Sequence, residues 1–159
     1  WKEVCKTQGI DSIEKLGYGK GYVFALDYWR ELMAALNALR AKKGMAIIMI
    51  AHTHIRKFES PDSDTYDRYE IKLHNKASGL VQESVDAVLF AKHVVVTNKE
   101  DKGFGQTRVR GVSTGERVLG ANEKPGFVAK NRYGLPDEID LSWSAFQDAI
   151  ATAISGETK

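Results

Sequence analysis

Two short stretches of this chain carry side chains whose type and spacing suit chemistry on phosphate. The first is His52-Thr53-His54, which comes directly after the apolar run Met45–Ala51, MAIIMIA. A polar side chain at the C-terminal end of a buried strand can hydrogen-bond a terminal phosphate, and the loop after it can respond to that phosphate. Strand residues two apart also face the same way, so His52 and His54 equally suit two ligands of a catalytic zinc, with a third recruited from His74, His93 or a loop carboxylate. A pair of hydrogen-bonded strand-end histidines without chemistry is the plainest reading, and the preferred one on these residues alone. The second stretch is Ala129–Gly134, AKNRYG, which sets Lys130 and Arg132 two apart in extended chain, with Gly134 and Pro136 to bend the backbone beyond them. Two cations on one side can clamp the transferring phosphate of a neighbouring subunit. A basic pair on a solvated surface is the alternative.

Two glycine-rich stretches carry less. Gly17-Tyr-Gly-Lys-Gly21 and Gly111-Val-Ser-Thr-Gly115 both lack the spacing G-x-x-x-x-G-K-[ST]. No complete Walker A loop occurs in the 159 residues, nor an apolar strand ending in the Asp that holds magnesium. Alone, the chain is expected to bind and hydrolyse nucleotide poorly.

The elements that must position these groups are legible from periodicity. Trp1–Leu16 suggests one or two short helices before the glycines. From Tyr22 the spacing is helical, with Leu26, Trp29, Leu32, Met33, Leu36 and Leu39 on one face, Lys42 and Lys43 at the C-terminal dipole, and Gly44 as the stop. Met45–Ala51 is apolar without alternation and predicts a central strand covered on both faces. The polar stretch from His52 to about Asn75 predicts a long functional loop. Lys76–Val85 predicts a helix leading into a second apolar strand at Asp86–Ala91, extended through Val96. Asn98–Gln106 predicts a hairpin tip, with return strands near Arg108–Val112 and Arg117–Asn122. Lys124-Pro-Gly126 turns the chain into Phe127–Ala129, and Ser142 caps a helix with Trp143, Phe146, Ile150 and Ile154 on its apolar face. The order predicts one α/β domain: a mostly parallel sheet flanked by helices, with an antiparallel C-terminal edge.

Composition sets the outer limits. A chain of 159 residues, 43% hydrophobic and 28% charged, has an ordinary globular profile. It is too apolar for disorder and has no run long enough to span a bilayer. One cysteine, Cys5, cannot form an internal disulfide, which points to a reducing, cytoplasmic compartment. Trp1 stands where Met would begin a gene product, which suggests a fragment or processed piece. A formal charge of +2 announces no nucleic-acid partner, although Lys92–Arg132 holds nine basic residues against four acids.

Four stretches together resemble a family: AHTHIRK (Ala51–Lys57), KASGLVQESVDAVLFAKH (Lys76–His93), RVLGANEK (Arg117–Lys124) and FVAKNRYGLPDEIDLSW (Phe127–Trp143). They are similar to the C-terminal half of RecA-like P-loop ATPases, most of all the phage-encoded ATPases of recombination and single-strand annealing, with RadA and the DnaB helicases more distant. KNRYG, the most specific piece, is similar to the KNRFG motif of RadA-type proteins. The resemblance implies that residues 1–159 are the C-terminal portion of such a domain, with the Walker A and Walker B segments upstream. It implies that His52 is a γ-phosphate sensor, and that Lys130 and Arg132 are fingers reaching across a subunit interface. The segment Thr53 to about Asn75 would be a DNA-binding loop, with Arg56, Lys57, Arg68 and Lys72 on phosphates and Tyr66 or Tyr69 stacking on bases. Its five basic residues, counted through Lys76, are offset by five acids, which speaks against strong phosphate affinity.

ATP and Mg2+ would belong to the complete parent, with neither expected to bind this piece tightly. Single-stranded DNA and further copies in a ring or filament would be its partners, in the cytoplasm of a phage-infected or prophage-carrying bacterium, with no membrane association. A non-catalytic nucleic-acid or interaction module and a zinc-dependent hydrolase are the rival readings. The leading one makes two demands: Met45–Ala51 inside a layered sheet, and KNRYG where another protomer can reach it.

Overall fold

The computed structural model describes residues 1–101 and 107–156, with 97–101 and 107–110 described by backbone alone. It divides into two compact units, residues 1–85 and 86–159.

The first unit runs α1 (Lys2–Gln8), a 3₁₀ turn (Ile13–Leu16), α2 (Lys20–Lys43), β1 (Thr53–Ser60), β2 (Ser63–Ile71) and α3 (Asn75–Ser84). Helix α2 stops where its sequence says it should. Gly44 takes φ 61°, and its amide donates to the Arg40 carbonyl at 3.0 Å. The buried stripe is narrower than the spacing predicts: Leu26 and Met33 are buried, Trp29 and Leu36 half-buried, Leu32 and Leu39 exposed. Gly21 packs the start of α2 against the 3₁₀ turn. A Cβ there would lie 2.6 Å from the Ile13 carbonyl oxygen, which no side chain tolerates. One position on, the Tyr22 ring stacks flat on His74 at 4.2 Å and its hydroxyl donates to Glu14 Oε1 at 3.0 Å. That stack ties the start of α2 to the residue that precedes α3.

Met45–Ala51 departs from expectation. The segment carries no regular structure, and Met45, Ile48, Met49 and Ile50 are exposed, Ile50 almost completely. A strand covered on both faces needs backbone partners along both edges. None of the described residues supplies one, so the apolar run lies open instead of central. The first demand of the leading reading is not met by this structure.

The polar stretch after it is a hairpin and not a long loop. β1 and β2 pair antiparallel from Thr53↔Ile71 to Phe58↔Tyr66, and close at Ser60↔Ser63 around Pro61-Asp62. Threonines, isoleucines and aromatics recur along both strands, which suits a pleated ribbon even though most neighbouring residues are polar.

The second unit holds β3 (Ala87–Val88), β4 (Phe90–Asp101), β5 (Thr107–Gly120), β6 (Lys130–Asn131), β7 (Glu138–Asp140) and α4 (Trp143–Ser155). β4, β5 and β7 form one sheet and β3 with β6 another. Every strand pairing among the described residues is antiparallel, so the mostly parallel sheet expected from the sequence is not the architecture seen. The predicted return strands are one long strand, β5. It is interrupted between Ser113 and Arg117, where Gly115 takes φ 84° and Thr114 Oγ1 donates to the Val94 carbonyl. Gly115 thus serves a bulge, while Gly111 lies in the regular ladder opposite Thr97. The predicted tip at Asn98–Gln106 lies largely outside the described residues. Phe127–Ala129 is not a strand: Phe127 makes a single bridge to Lys124 across the Pro125-Gly126 turn.

Ala121, Leu135 and Ile139 form the core of this unit, and Phe146, Ala149, Ile150 and Ala153 of α4 pack against it with Leu89 and Leu119. The Ser142 hydroxyl caps α4 by accepting from the Ala145 amide at 3.2 Å. Trp143 and Ile154, expected on the apolar face, are exposed. Phe90 stacks on Phe127 at 4.7 Å, and Gly120 leaves room for that ring.

Candidate functional site

The best-defined polar constellation surrounds the turn after β6. Lys130 and Asn131 pair with Val88 and Ala87, and the chain then reverses through Arg132, Tyr133 and Gly134. Gly134 has φ 71°, a left-handed conformation that costs any residue with a Cβ. Asn131 holds the turn shut. Its Oδ1 accepts from the Leu135 amide at 2.9 Å, and its Nδ2 donates to the Leu135 carbonyl at 2.8 Å and to Asn122 Oδ1 at 2.9 Å. Leu135 sits in the core, so both of its backbone groups depend on this one side chain.

The network continues outward. Asn122 Nδ2 donates to Asp137 Oδ1 at 2.6 Å and Lys124 Nζ to Asp137 Oδ2 at 2.6 Å. The Lys124 ammonium, with help from the Asn122 amide, holds the Asp137 carboxyl below the usual carboxylate range.

This scaffold presents the two predicted cations differently. Lys130 is half-buried beside β3, while the Arg132 side chain is 57% exposed. Arg132 is tethered at both ends: its amide donates to the Asp86 carbonyl at 3.1 Å, and its guanidinium Nη1 lies 3.5 Å from Asp86 Oδ1. The Tyr133 hydroxyl donates to the other oxygen of Asp86 at 3.4 Å. The turn is at the surface, as the second demand of the leading reading requires. Sequence reasoning named Lys130 and Arg132 but missed Asn131 and Asp86. An Asn four residues before a core leucine, across a Gly, was the available signal for the first. Nothing local marks the second, which is 46 positions away from Arg132.

In the first unit, His52 is exposed and its carbonyl accepts from the Lys72 amide at 2.8 Å, one step beyond the last hairpin pair. The predicted nucleic-acid residues fall on two faces of the ribbon. Arg56, Tyr66 and Arg68 share the more covered face. There Arg68 is buried with its guanidinium 4.8 Å over the Phe58 ring, Tyr66 packs on Phe58 at 5.4 Å, and Arg56 reaches Asn75 and, at 3.5 Å, Glu70. Lys57 and Tyr69 are exposed on the opposite face, where Tyr69 stands across from Ile55. Lys72 is exposed just beyond the end of β2, outside the paired register. The six do not form one surface.

His52 and His54 are joined by no third ligand: among the described residues no group of three or more His, Cys, Asp or Glu is gathered as for a metal. The zinc reading has no structural support.

For a nucleotide the fit is one-sided. Gly17–Gly21 is not a phosphate cradle, because Ile13 fills the space at Gly21. The Arg132 turn does suit a phosphate presented from outside, being cationic, exposed and braced. No helix of the described residues is long and apolar enough to cross a membrane.

A family model described as an AAA domain matches residues 1–133. Neither a curated protein nor a solved structure gives a significant match.

Proposed function

This chain belongs to the AAA domain family, a nucleotide-binding, ATPase type of domain, and on that footing we propose that it is the phosphate-sensing, DNA-associated portion of a RecA-like ATPase of the phage recombination and single-strand-annealing type. The observation that carries the reading is the turn after β6. A side-chain clamp from Asn131 and a left-handed Gly134 fix a surface turn that carries an exposed arginine, paired to Asp86, beside a half-buried lysine. A basic pair on an ordinary solvated surface needs no such bracing.

In this reading Lys130 and Arg132 neutralise the terminal phosphate of a nucleotide bound by an adjoining protomer, and His52 senses the phosphate bound by its own. The phosphate loop and the magnesium-holding carboxylate come from polypeptide upstream of these residues. Backbone from the same source gives Met45–Ala51 its neighbours and so puts His52 at a strand end. The β1–β2 ribbon tracks single-stranded DNA. Tyr69 is its exposed stacking group, Lys57 and Lys72 its phosphate contacts, and Arg56, Tyr66 and Arg68 shape the ribbon from its covered face.

The test is Lys130→Ala and Arg132→Ala in the complete gene product, with DNA-stimulated ATP turnover as the readout. Loss of an arginine finger costs roughly 10³–10⁵ in turnover. Unaltered turnover in the double variant would remove the finger role.

A further inference from the structure

Three contacts from the turn converge on one carboxylate-bearing residue. Asp86 receives the Arg132 amide on its carbonyl, the Arg132 guanidinium at Oδ1 and the Tyr133 hydroxyl at Oδ2. The carboxylate therefore occupies, for Arg132, the place that a phosphate oxygen would take. We propose that Asp86 is a positioning residue that latches Arg132: it holds the guanidinium against the turn as an internal anion until an incoming polyphosphate displaces it. This rests on the proposed role of Arg132 as a phosphate-binding finger.

Two features make the latch reversible. At 3.5 Å the ion pair is long, and both side chains are partly in water, 57% exposed for Arg132 and 32% for Asp86. A pair of this kind contributes little and exchanges readily. Tyr133 and the backbone bond keep Asp86 in place when the guanidinium leaves, so the carboxylate remains beside the turn to take Arg132 back. The ligand class is a linear polyphosphate, whose several negative charges outcompete one carboxylate.

Inorganic tripolyphosphate is the probe, titrated at low salt into the isotope-labelled 159-residue chain while the Arg132 Nε–Hε resonance is followed. The wild type is expected to shift that resonance, and the Asp86 Cγ resonance is expected to move at the same midpoint as the carboxylate is released. Asp86→Asn retains the backbone bond and an oxygen for Tyr133, and is expected to bind about two- to five-fold tighter, because a competing charge is gone. Tightening is the opposite of what structural damage produces. Asp86→Glu is expected to return affinity toward wild type.

An Asp86 Cγ resonance that stays still while Arg132 shifts overturns the latch, and this measurement needs no variant. Asp86→Asn binding no tighter than wild type, in a protein whose amide spectrum is otherwise preserved, overturns it as well. Arg132→Ala tests the underlying reading separately. If that variant binds tripolyphosphate as tightly as wild type, the phosphate-binding turn itself is wrong, whatever Asp86 does.

Discussion

Replacing Asn131 with alanine removes three hydrogen bonds at 2.8–2.9 Å and leaves the Leu135 amide and carbonyl without their partner. The bond to Asn122 is the lesser loss, since Asn122 is half-buried and water can replace it. Leu135 is only 3% exposed, so its backbone groups have little access to solvent. Each buried backbone group left unpaired costs about 1–3 kcal/mol. Some water entering the space vacated by the amide offsets part of this, and the expected destabilisation of the second unit is about 2–4 kcal/mol. Urea unfolding followed through Trp143, with Trp1 and Trp29 changed to Phe in both proteins compared, measures the whole, and hydrogen exchange at the Leu135 amide measures the local part. Opening there is expected to become easier by roughly thirty-fold or more, the equivalent of about 2 kcal/mol. Asn131→Asp separates hydrogen bonding from simple loss of volume. It keeps the acceptor for the Leu135 amide but sets an oxygen against the Leu135 carbonyl and Asn122 Oδ1, so it is expected to be destabilising although nearly isosteric. A loss below about 0.5 kcal/mol in the alanine variant would refute the clamp, since that is the range of ordinary surface substitutions.

Gly120→Ala places a Cβ 2.7 Å from Phe127 Cζ and 2.8 Å from Cε2; overpacking of this kind costs about 1–3 kcal/mol, readable as a lower urea midpoint. Because Lys124 and Asn122 lower the Asp137 pKa, that carboxylate contributes stability above the usual carboxylate range and loses it as pH falls through the lowered value. Wild type is therefore expected to lose more stability than Asp137→Asn between about pH 5 and pH 3, in urea titrations at each pH. Ser142→Ala removes the α4 cap and is expected to cost about 1 kcal/mol in the same assay. If the ribbon tracks single-stranded DNA, Tyr69→Ala weakens oligo(dT) binding by about 1–3 kcal/mol, as loss of one stacking platform does. Lys57→Ala then flattens the salt dependence; binding unaffected by either change would dismiss the ribbon as the DNA contact.

What the sequence determined by itself is local in origin. The α2 stop at Gly44, the Ser142 cap and the helix at Asn75–Ser84 arise from signals within a few residues of each element, because capping and helical spacing are short-range physics. KNRYG was visible as a cationic bend for the same reason. Tertiary structure decided where partners come from. Met45–Ala51 has the composition of a buried strand, yet a strand exists only when other backbone pairs with it, and no property of seven residues can state whether that backbone is present. The hairpin at Thr53–Ile71 escaped an apolar-run reading because its two strands satisfy each other's backbone while carrying polar side chains on both faces. Asp86 acquires its role only when the chain brings it beside a turn 46 residues later. Residue type is written along the chain, but a hydrogen-bond partner or a neighbouring charge is a fact about distance in space, and only folding sets that distance.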